Sequence, residues 1–543
     1  MSQENEKPLD AIVVGAGFAG MYAIWKFRQS GMNFRVIEAG SDVGGTWFWN
    51  RYPGARCDIT SMEYSYSFSS ELQQEWEWTE IMAAQPEILS YANHVADRFN
   101  LREHIEFNTR VVEARYLDEE NLWEVNTDTG KSYRARFCIM ATGCLSVPNT
   151  PEIAGQESFA GEVLHTGNWP TSGMNLAEKS VGIIGTGSSG VQAIPVLARE
   201  AKQLTVFQRT PNYNMPANNA PLPDDYRDLI KGNYEDVRHA QRYAQIGVSE
   251  FSRGLGGLGS YPEPTESILA TNEAEREQAL EAYGFESIRR YADLALSPEA
   301  NELACDMFRQ QVSRVVEDKE TAEGLMPRGY PYGCKRPVID IGYYETFNRD
   351  NVTLVDLRRG GIECIVPEGV QTEQGLFECD VLIYATGFDA MTGALLKMNI
   401  QGREGVSLND HWEHGPKTYL GLQMSGFPNL FTVTGPGSPS VLSNMLVSIE
   451  QHIDWIHDCI NHLDQSGAST IEPSAQAEEA WVNHVFEVAD GTMLTAESCN
   501  SWYLGANIPG KPRIFMPYVA GVGPYREYCD KVVADGYSGF EIA

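Results

Sequence analysis

The pattern Gly-x-Gly-x-x-Gly occurs twice, at Gly15, Gly17 and Gly20 and again at Gly185, Gly187 and Gly190. Each copy follows a short apolar run and opens a run with helical spacing, a context that restricts the fold more than the glycines alone do. In the first copy, Ala11 to Val14 predicts a strand, helical spacing continues to Gln29, and a second strand ends in Glu38. The first glycine permits a tight turn, the second lets a pyrophosphate approach the backbone, and the third brings helix against strand. Glu38 stands where a carboxylate accepts hydrogen bonds from both ribose hydroxyls. In the second copy, Val181 to Ile184 is the strand, with Thr186, Ser188, Ser189 and Gln192 in the turn and early helix. That helix continues from Val191 to Ala201, and the next strand, Leu204 to Phe207, ends in Gln208, Arg209 and Thr210. A guanidinium there clamps a 2′-phosphate that a carboxylate would repel. The expectation is an α/β fold with two dinucleotide-binding, Rossmann-like domains, the first for FAD and the second for NADPH.

A length of 543 residues suggests two or three domains. The formal net charge of −33 argues against a nucleic-acid partner, which needs a basic face. No apolar run approaches the roughly 18 residues of a membrane span. The start, MSQENEKPLD, lacks a signal-peptide core, so a cytoplasmic protein is expected. The ten cysteines are scattered with no CxxC pair, which predicts free thiols and speaks against a disulfide reductase. No spacing suggests a metal site. Two strand ends, "FCIMATG" at 137–143 and "DVLIYATGFD" at 380–389, read as places where the chain passes between nucleotide domains.

A third motif lies between the turns. Phe159, Gly161, His165, Trp169 and Pro170 fill Phe-x-Gly-x-x-x-His-x-x-x-Trp-Pro, and in this the chain resembles the type I Baeyer–Villiger monooxygenases. The resemblance spans essentially the whole chain. It includes "VGGTWFWNRYPGARCDI" at 43–59, "GCKRP" at 333–337, "GPGSPSVLSNMLVSIEQH" at 435–452 and "NSWYLGANIPGKPR" at 500–513. It implies an FAD-binding domain from 1–150 and 389–543, with a mobile loop near 490–510. An NADP-binding domain follows from 151–220 and 331–388, interrupted by a helical insertion at 221–330. The insertion's own spacing agrees: "NEAEREQALEAYGFESIRRYADLAL" is helical in period, and "RGLGGLGS" at 253–260 reads as a mobile loop.

The implied activity is conversion of ketones to esters or lactones with NADPH and O2, through a C4a-peroxyflavin and a tetrahedral adduct. Arg336 takes the catalytic position, as a fixed cation for the peroxyanion, and Asp58 orients it. Lys335 joins Arg209 at the 2′-phosphate. Thr46, Trp47, Trp49, Tyr64, Val111 and Met445 belong to the cofactor sites, with Asn444 near the flavin, and Trp502 reaches the nicotinamide dinucleotide. Ser440, Val441 and Leu442 line the substrate pocket, and the turn before a helix beginning near Val441 aims N–H groups at the flavin. His165 and Trp169 sit on the hinge and couple domain movement to cofactor handling. The implied partners are a small ketone and O2, without nucleic acid or membrane. The competing reading is oxygenation of sulfides or amines, against which Trp169 and Arg336 speak: related N-hydroxylating enzymes usually carry Tyr in place of the former. A non-catalytic dinucleotide-binding regulator would lack the Asp58 and Arg336 pair.

Overall fold

Residues 7–255 and 264–543 are described by the computed structural model of the chain. The polar start at 1–6, part of the signal-peptide argument, and most of the Gly-rich run at 253–260 lie outside the described residues.

Leu9–Val14 is the central strand of the first sheet, and its last four side chains are fully or almost fully buried. Parallel neighbours flank it on both sides, Phe34–Ile37 and Ser132–Met140, which explains an uninterrupted apolar run instead of alternation. Ile105–Glu106 extends the sheet on one edge. On the other, Leu122–Thr127 and Val111–Leu117 add antiparallel, and Asn399–Gln401 closes the edge. Leu430–Thr432 pairs in parallel with Cys138–Met140, so this sheet draws strands from both ends of the chain.

The second sheet is wholly parallel. Its order is Val352–Asp356, Gln203–Gln208, Ser180–Ile184, Val381–Tyr384 and Glu162–His165. Each glycine turn leads from a central strand into a helix, Phe18–Gln29 in one sheet and Ser188–Glu200 in the other. Both helices have a glycine N-cap with no side-chain cap, leaving first-turn N–H groups available to an anion. The two turns also match in what forces their glycines. Gly15 has φ +108° and a Cβ there would lie 2.5 Å from the Ala141 carbonyl; Gly185 has φ +110° and meets the Ala385 carbonyl at 2.5 Å. Ala141 and Ala385 are the alanines of the two ATG strand ends.

Between the halves of the second sheet lie the helices Asp224–Gly232, Tyr234–Tyr243, Glu273–Tyr283, Pro298–Val315 and Lys319–Leu325. The run expected as one helical stretch after Asn272 divides. A capping box of Asn272 and Glu275 starts the helix, and Gly284 at φ +56° ends it before a 3-10 segment, Gly284–Arg290. The helix expected near Val441 starts later, at Met445. Ser440–Leu442 forms a separate 3-10 turn, and the Asn444 side chain caps the helix by accepting from Leu446 N–H.

Arg238, almost fully buried, fastens the insertion to the first sheet's side. It donates to Ser65 Oγ at 2.7 Å, Gln73 Oε1 at 2.8 Å and Gln241 Oε1 at 2.8 Å. Nearby, the buried Glu63 carboxylate accepts from Ser249 N–H and Oγ–H, each at 2.7 Å. No helix among the described residues is long and apolar enough to cross a membrane. The described residues contain no cluster of three or more metal-ligating side chains.

The thiols depart from expectation. Cys334 and Cys499 form a disulfide, while the other eight cysteines are free. The partners are 165 residues apart, so their meeting depends on how the C-terminal segment folds over the 333–337 turn and leaves no spacing signal.

Candidate active site

Arg336 lies just before Val338–Asp340, a short strand paired with Asn214–Pro216. Its Nε donates to Asp58 Oδ2 at 2.7 Å and its Nη1 to the Val441 carbonyl at 2.6 Å. Asp58 is held close by Cys57, whose N–H donates to the Ala83 carbonyl at 3.1 Å. Burial works against the Arg336 cation, but Asp58 and the Tyr503 phenol more than offset it and raise its pKa above the ordinary arginine value. The guanidinium is therefore permanently charged. It faces a cavity of about 190 Å³ walled by Ile59, Ile246, Leu442, Leu494 and Tyr503.

Of the three residues expected at the substrate pocket, only the Leu442 side chain lines this cavity. Val441 contributes its carbonyl to Arg336, while the fully buried Ser440 hydroxyl donates to the Thr434 carbonyl and fixes the turn. Sequence reasoning missed Ile59, Ile246, Leu494 and Tyr503. Tyr503 stood beside Trp502 in a matched run. Ile246 reaches the cavity from the insertion, where its carbonyl accepts from Asn444 N–H at 2.8 Å.

Lys335, which also lines this cavity, has a second aspect. Its ammonium lies 4.5 Å from the centroid of the Tyr330 ring. Its pKa is lowered to about 8, first by burial and then by the charge of Arg209. Neither Lys335 nor the exposed Arg209 forms a salt bridge among the described residues. Two cations held within each other's field without a carboxylate suit an anion. Around them, Thr186 Oγ1 donates to the Thr210 carbonyl at 3.2 Å, fixing the turn beside Arg209. Ser188 is exposed and Ser189 half-buried. A Cβ on Gly187 would meet nothing within 4 Å, so the turn has open space where a pyrophosphate would approach. Gln192 points instead to the loop at 52–56, accepting from the Tyr52 hydroxyl at 2.8 Å and donating to the Arg56 carbonyl at 3.1 Å.

At the first turn, Glu38 accepts from Ala16 N–H at 2.7 Å and Gly40 N–H at 2.6 Å. The carboxylate thus braces the turn, and each oxygen has remaining lone-pair capacity for a ribose hydroxyl. Thr46, Trp47 and Trp49 lie on the short helix Thr46–Trp49, and Trp47 Nε1 donates to the Tyr64 hydroxyl at 3.1 Å. Val111 is buried at the start of its strand, and Met445 opens its helix. Trp502 packs against Tyr503, with ring centroids 4.5 Å apart. Two glycine cradles, uncapped helix starts and a free cation pair fit two dinucleotides, of which one bears an extra phosphate.

The third motif resolves into packing and crossing contacts. A Cβ on Gly161 would lie 2.7 Å from the Phe159 ring and 2.3 Å from the Asp380 carbonyl, so ring and glycine require each other. His165 Nδ1 accepts from Gly167 N–H at 2.9 Å, and Nε2 lies 3.3 Å from the Asn149 carbonyl and 3.4 Å from Thr386 Oγ1. Burial lowers its pKa, with the Asn149 carbonyl opposing, which favours a neutral ring donating from Nε2. Asn149 follows the first ATG end and Thr386 is the threonine of the second, so the imidazole touches both crossings. Trp169 is buried.

Comparison with known proteins gives the family. Residues 12–230 match the family model described as pyridine nucleotide-disulphide oxidoreductase. A Baeyer–Villiger monooxygenase from Pseudooceanicola batsensis is 41% identical over 547 residues, covering 98% of this chain and 97% of the relative. An oxidized steroid monooxygenase bound to NADP is similar in structure with a TM-score of 0.90 and 46% identity, covering 99% of each chain. OTEMO in complex with FAD and NADP gives a TM-score of 0.91 at 39% identity, covering 99% of this chain and 100% of that one.

Proposed function

The chain belongs to the Baeyer–Villiger monooxygenases, and from that premise we propose how its residues divide the work. The enzyme is an FAD-dependent monooxygenase that uses NADPH and O2 to turn ketones into esters or lactones. FAD is held by Gly15, Gly17, Gly20 and Glu38, with Thr46, Trp47, Trp49, Tyr64 and Met445 around it. NADPH is held by the Gly185 to Gly190 turn, with Arg209 and Lys335 on its 2′-phosphate and Trp502 closing over it. The FAD domain takes both chain ends and the NADP domain the two stretches around the insertion, a division that the strand composition of the two sheets supports. When bound, the cofactors supply hydride transfer and oxygen activation.

The chain's own contribution is electrostatic. Arg336 carries a charge that cannot be lost at working pH, and it presents N–H donors to an apolar cavity. Negative charge developing on a ketone oxygen there is stabilised without reorganising solvent. Asp58 takes Nε and the Val441 carbonyl takes Nη1, which leaves guanidinium protons over for the reacting oxygen. The apolar walls from Ile59, Ile246, Leu442 and Leu494 suit a hydrocarbon skeleton. The observation carrying this reading is the orientation of Arg336, fixed by Asp58 and the Val441 carbonyl at a largely apolar cavity.

Arg336→Ala is the test. Hydride transfer from NADPH should persist, while ester formation should fall by about 10²–10³, the usual loss for one preorganised donor. Stopped-flow absorbance separates reduction from product analysis. Near-normal ester yield would overturn the assignment, and sulfide turnover far above ketone turnover in the wild type would favour the heteroatom reading.

A further inference from the structure

Three walls of the cavity at Arg336 arrive from remote parts of the chain. Ile59 comes from the loop that also carries Asp58, Ile246 from the insertion, and Leu442 and Ser443 from the turn before the helix Met445–Ser466. The same three stretches are tied to one another at a single buried carboxylate, Glu63, which does not itself line the cavity.

The Glu63 side chain holds the insertion. Its carboxylate accepts from Ser249 N–H and Ser249 Oγ–H, each at 2.7 Å, and from the Ser252 hydroxyl. All of these contacts donate to it, the pattern an ionised carboxylate takes, and such bonds are about twice as strong as neutral ones. Arg238, whose Nη1 donates to the Glu63 carbonyl at 3.3 Å, supplies the nearby positive charge. The Glu63 backbone holds the turn, because the same carbonyl accepts from Asn444 Nδ2 at 2.8 Å. Asn444 closes the circuit by donating its N–H to the Ile246 carbonyl at 2.8 Å. Little slack remains between them: Gly247 has φ +69°, and a Cβ there would lie 3.2 Å from the Asn444 Cβ. Ile246 is thus gripped directly through Asn444 and, a little further along the chain, through Ser249.

We propose that Glu63 is a positioning residue for substrate choice: by tying Ser249 and Ser252 it sets where Ile246 stands, and so how large a ketone the cavity at Arg336 admits. The inference rests on the reading of this cavity as the ketone site. Glu63 takes no part in the chemistry and acts only through the wall.

The test uses the full-length, FAD-loaded enzyme and two ketones, butanone and benzylacetone, which present the same methyl ketone and differ by a terminal phenyl ring. The ratio of kcat/KM for benzylacetone to that for butanone measures the space beyond the reacting carbonyl. Ile246→Ala, which shortens the wall side chain, should raise this ratio about tenfold or more, since one methylene of fit in an apolar pocket is worth about 10–200-fold. Glu63→Gln keeps the side chain's size but loses the charge, and should raise the ratio about fivefold, less than deleting the wall does. FAD content and flavin reduction by NADPH should match wild type. In the Ile246→Ala background Glu63→Gln should add little, because residues that act through one another are not additive. Ser249→Ala removes one donor from the other side of the tie and should move the ratio the same way by a smaller factor.

An unchanged ratio in Glu63→Gln, or a rise that persists in full in the Ile246→Ala background, would overturn the inference. So would an equal fall in kcat/KM for both ketones, which marks the carboxylate as support for the fold alone. If Glu63→Gln does not load FAD, Ser249→Ala decides by the same criteria. Ile246→Ala measured alone separates the two levels. An unchanged ratio there removes the cavity as the ketone site and the inference with it. A raised ratio there beside an unchanged one in Glu63→Gln sinks the inference alone.

Discussion

Arg209 and Lys335 are the residues by which the protein should tell NADPH from NADH. Each charged hydrogen bond to the 2′-phosphate contributes about 1.5–3 kcal/mol, so Arg209→Ala should raise KM for NADPH at least tenfold while leaving KM for NADH nearly unchanged. Equal effects on both cofactors would remove the assignment. Lys335 adds a pH dependence whose sign is fixed by its depressed pKa of about 8. Below that value the ammonium is charged and the phosphate contact is available. Above it the free enzyme loses the proton, and binding must first take one up, because a phosphate favours the cationic form. Preference for NADPH should therefore weaken as pH rises from about 7 to about 9, and Lys335→Met should flatten that trend. Steady-state KM values for both cofactors across this range decide it.

At the scale of elements, the stretch from Phe159 to Trp169 is the informative one. His165 touches Asn149 and Thr386, one on each chain crossing, so a rotation of one sheet against the other must pass through its contacts. His165→Ala and Trp169→Ala should keep FAD yet slow turnover or divert it to hydrogen peroxide; loss of FAD or unfolding would show packing to be their whole role. The same stretch shows what sequence can carry. The strands of both glycine motifs and the helix of the first were legible to within a residue or two at Leu9–Val14, Phe18–Gln29 and Ser180–Ile184, because glycine placement and apolar runs act locally, whereas the second helix, Ser188–Glu200, starts three residues before the expected Val191. The Asp58 and Arg336 pair became visible only through resemblance, since nothing local links residues so distant. Ile246 and Tyr503 were not legible as cavity walls, because their arrival depends on how the insertion and the C-terminal segment dock. The late helix start at Met445 was not legible because Ser440–Leu442 forms a separate 3-10 turn ahead of it.

For the whole molecule, the Cys334–Cys499 bond closes a loop of 165 residues that contains strands of both sheets. Cross-linking so long a stretch should contribute about 2–5 kcal/mol by restricting the unfolded chain. Thermal unfolding of the FAD-loaded protein should therefore shift downward when a reductant or Cys499→Ser removes the bond; an unchanged midpoint would show that the bond contributes nothing. The interleaving of the sheets has a separate consequence, for synthesis. A chain leaving the ribosome has every strand of the wholly parallel sheet once Tyr384 has emerged. The first sheet, although it starts at Leu9, keeps Cys138–Met140 without the partner Leu430–Thr432 until most of the message has been read. The earliest strands made are thus completed last, and through that interval a buried strand presents a bare edge, the kind of surface that chaperones exist to cover.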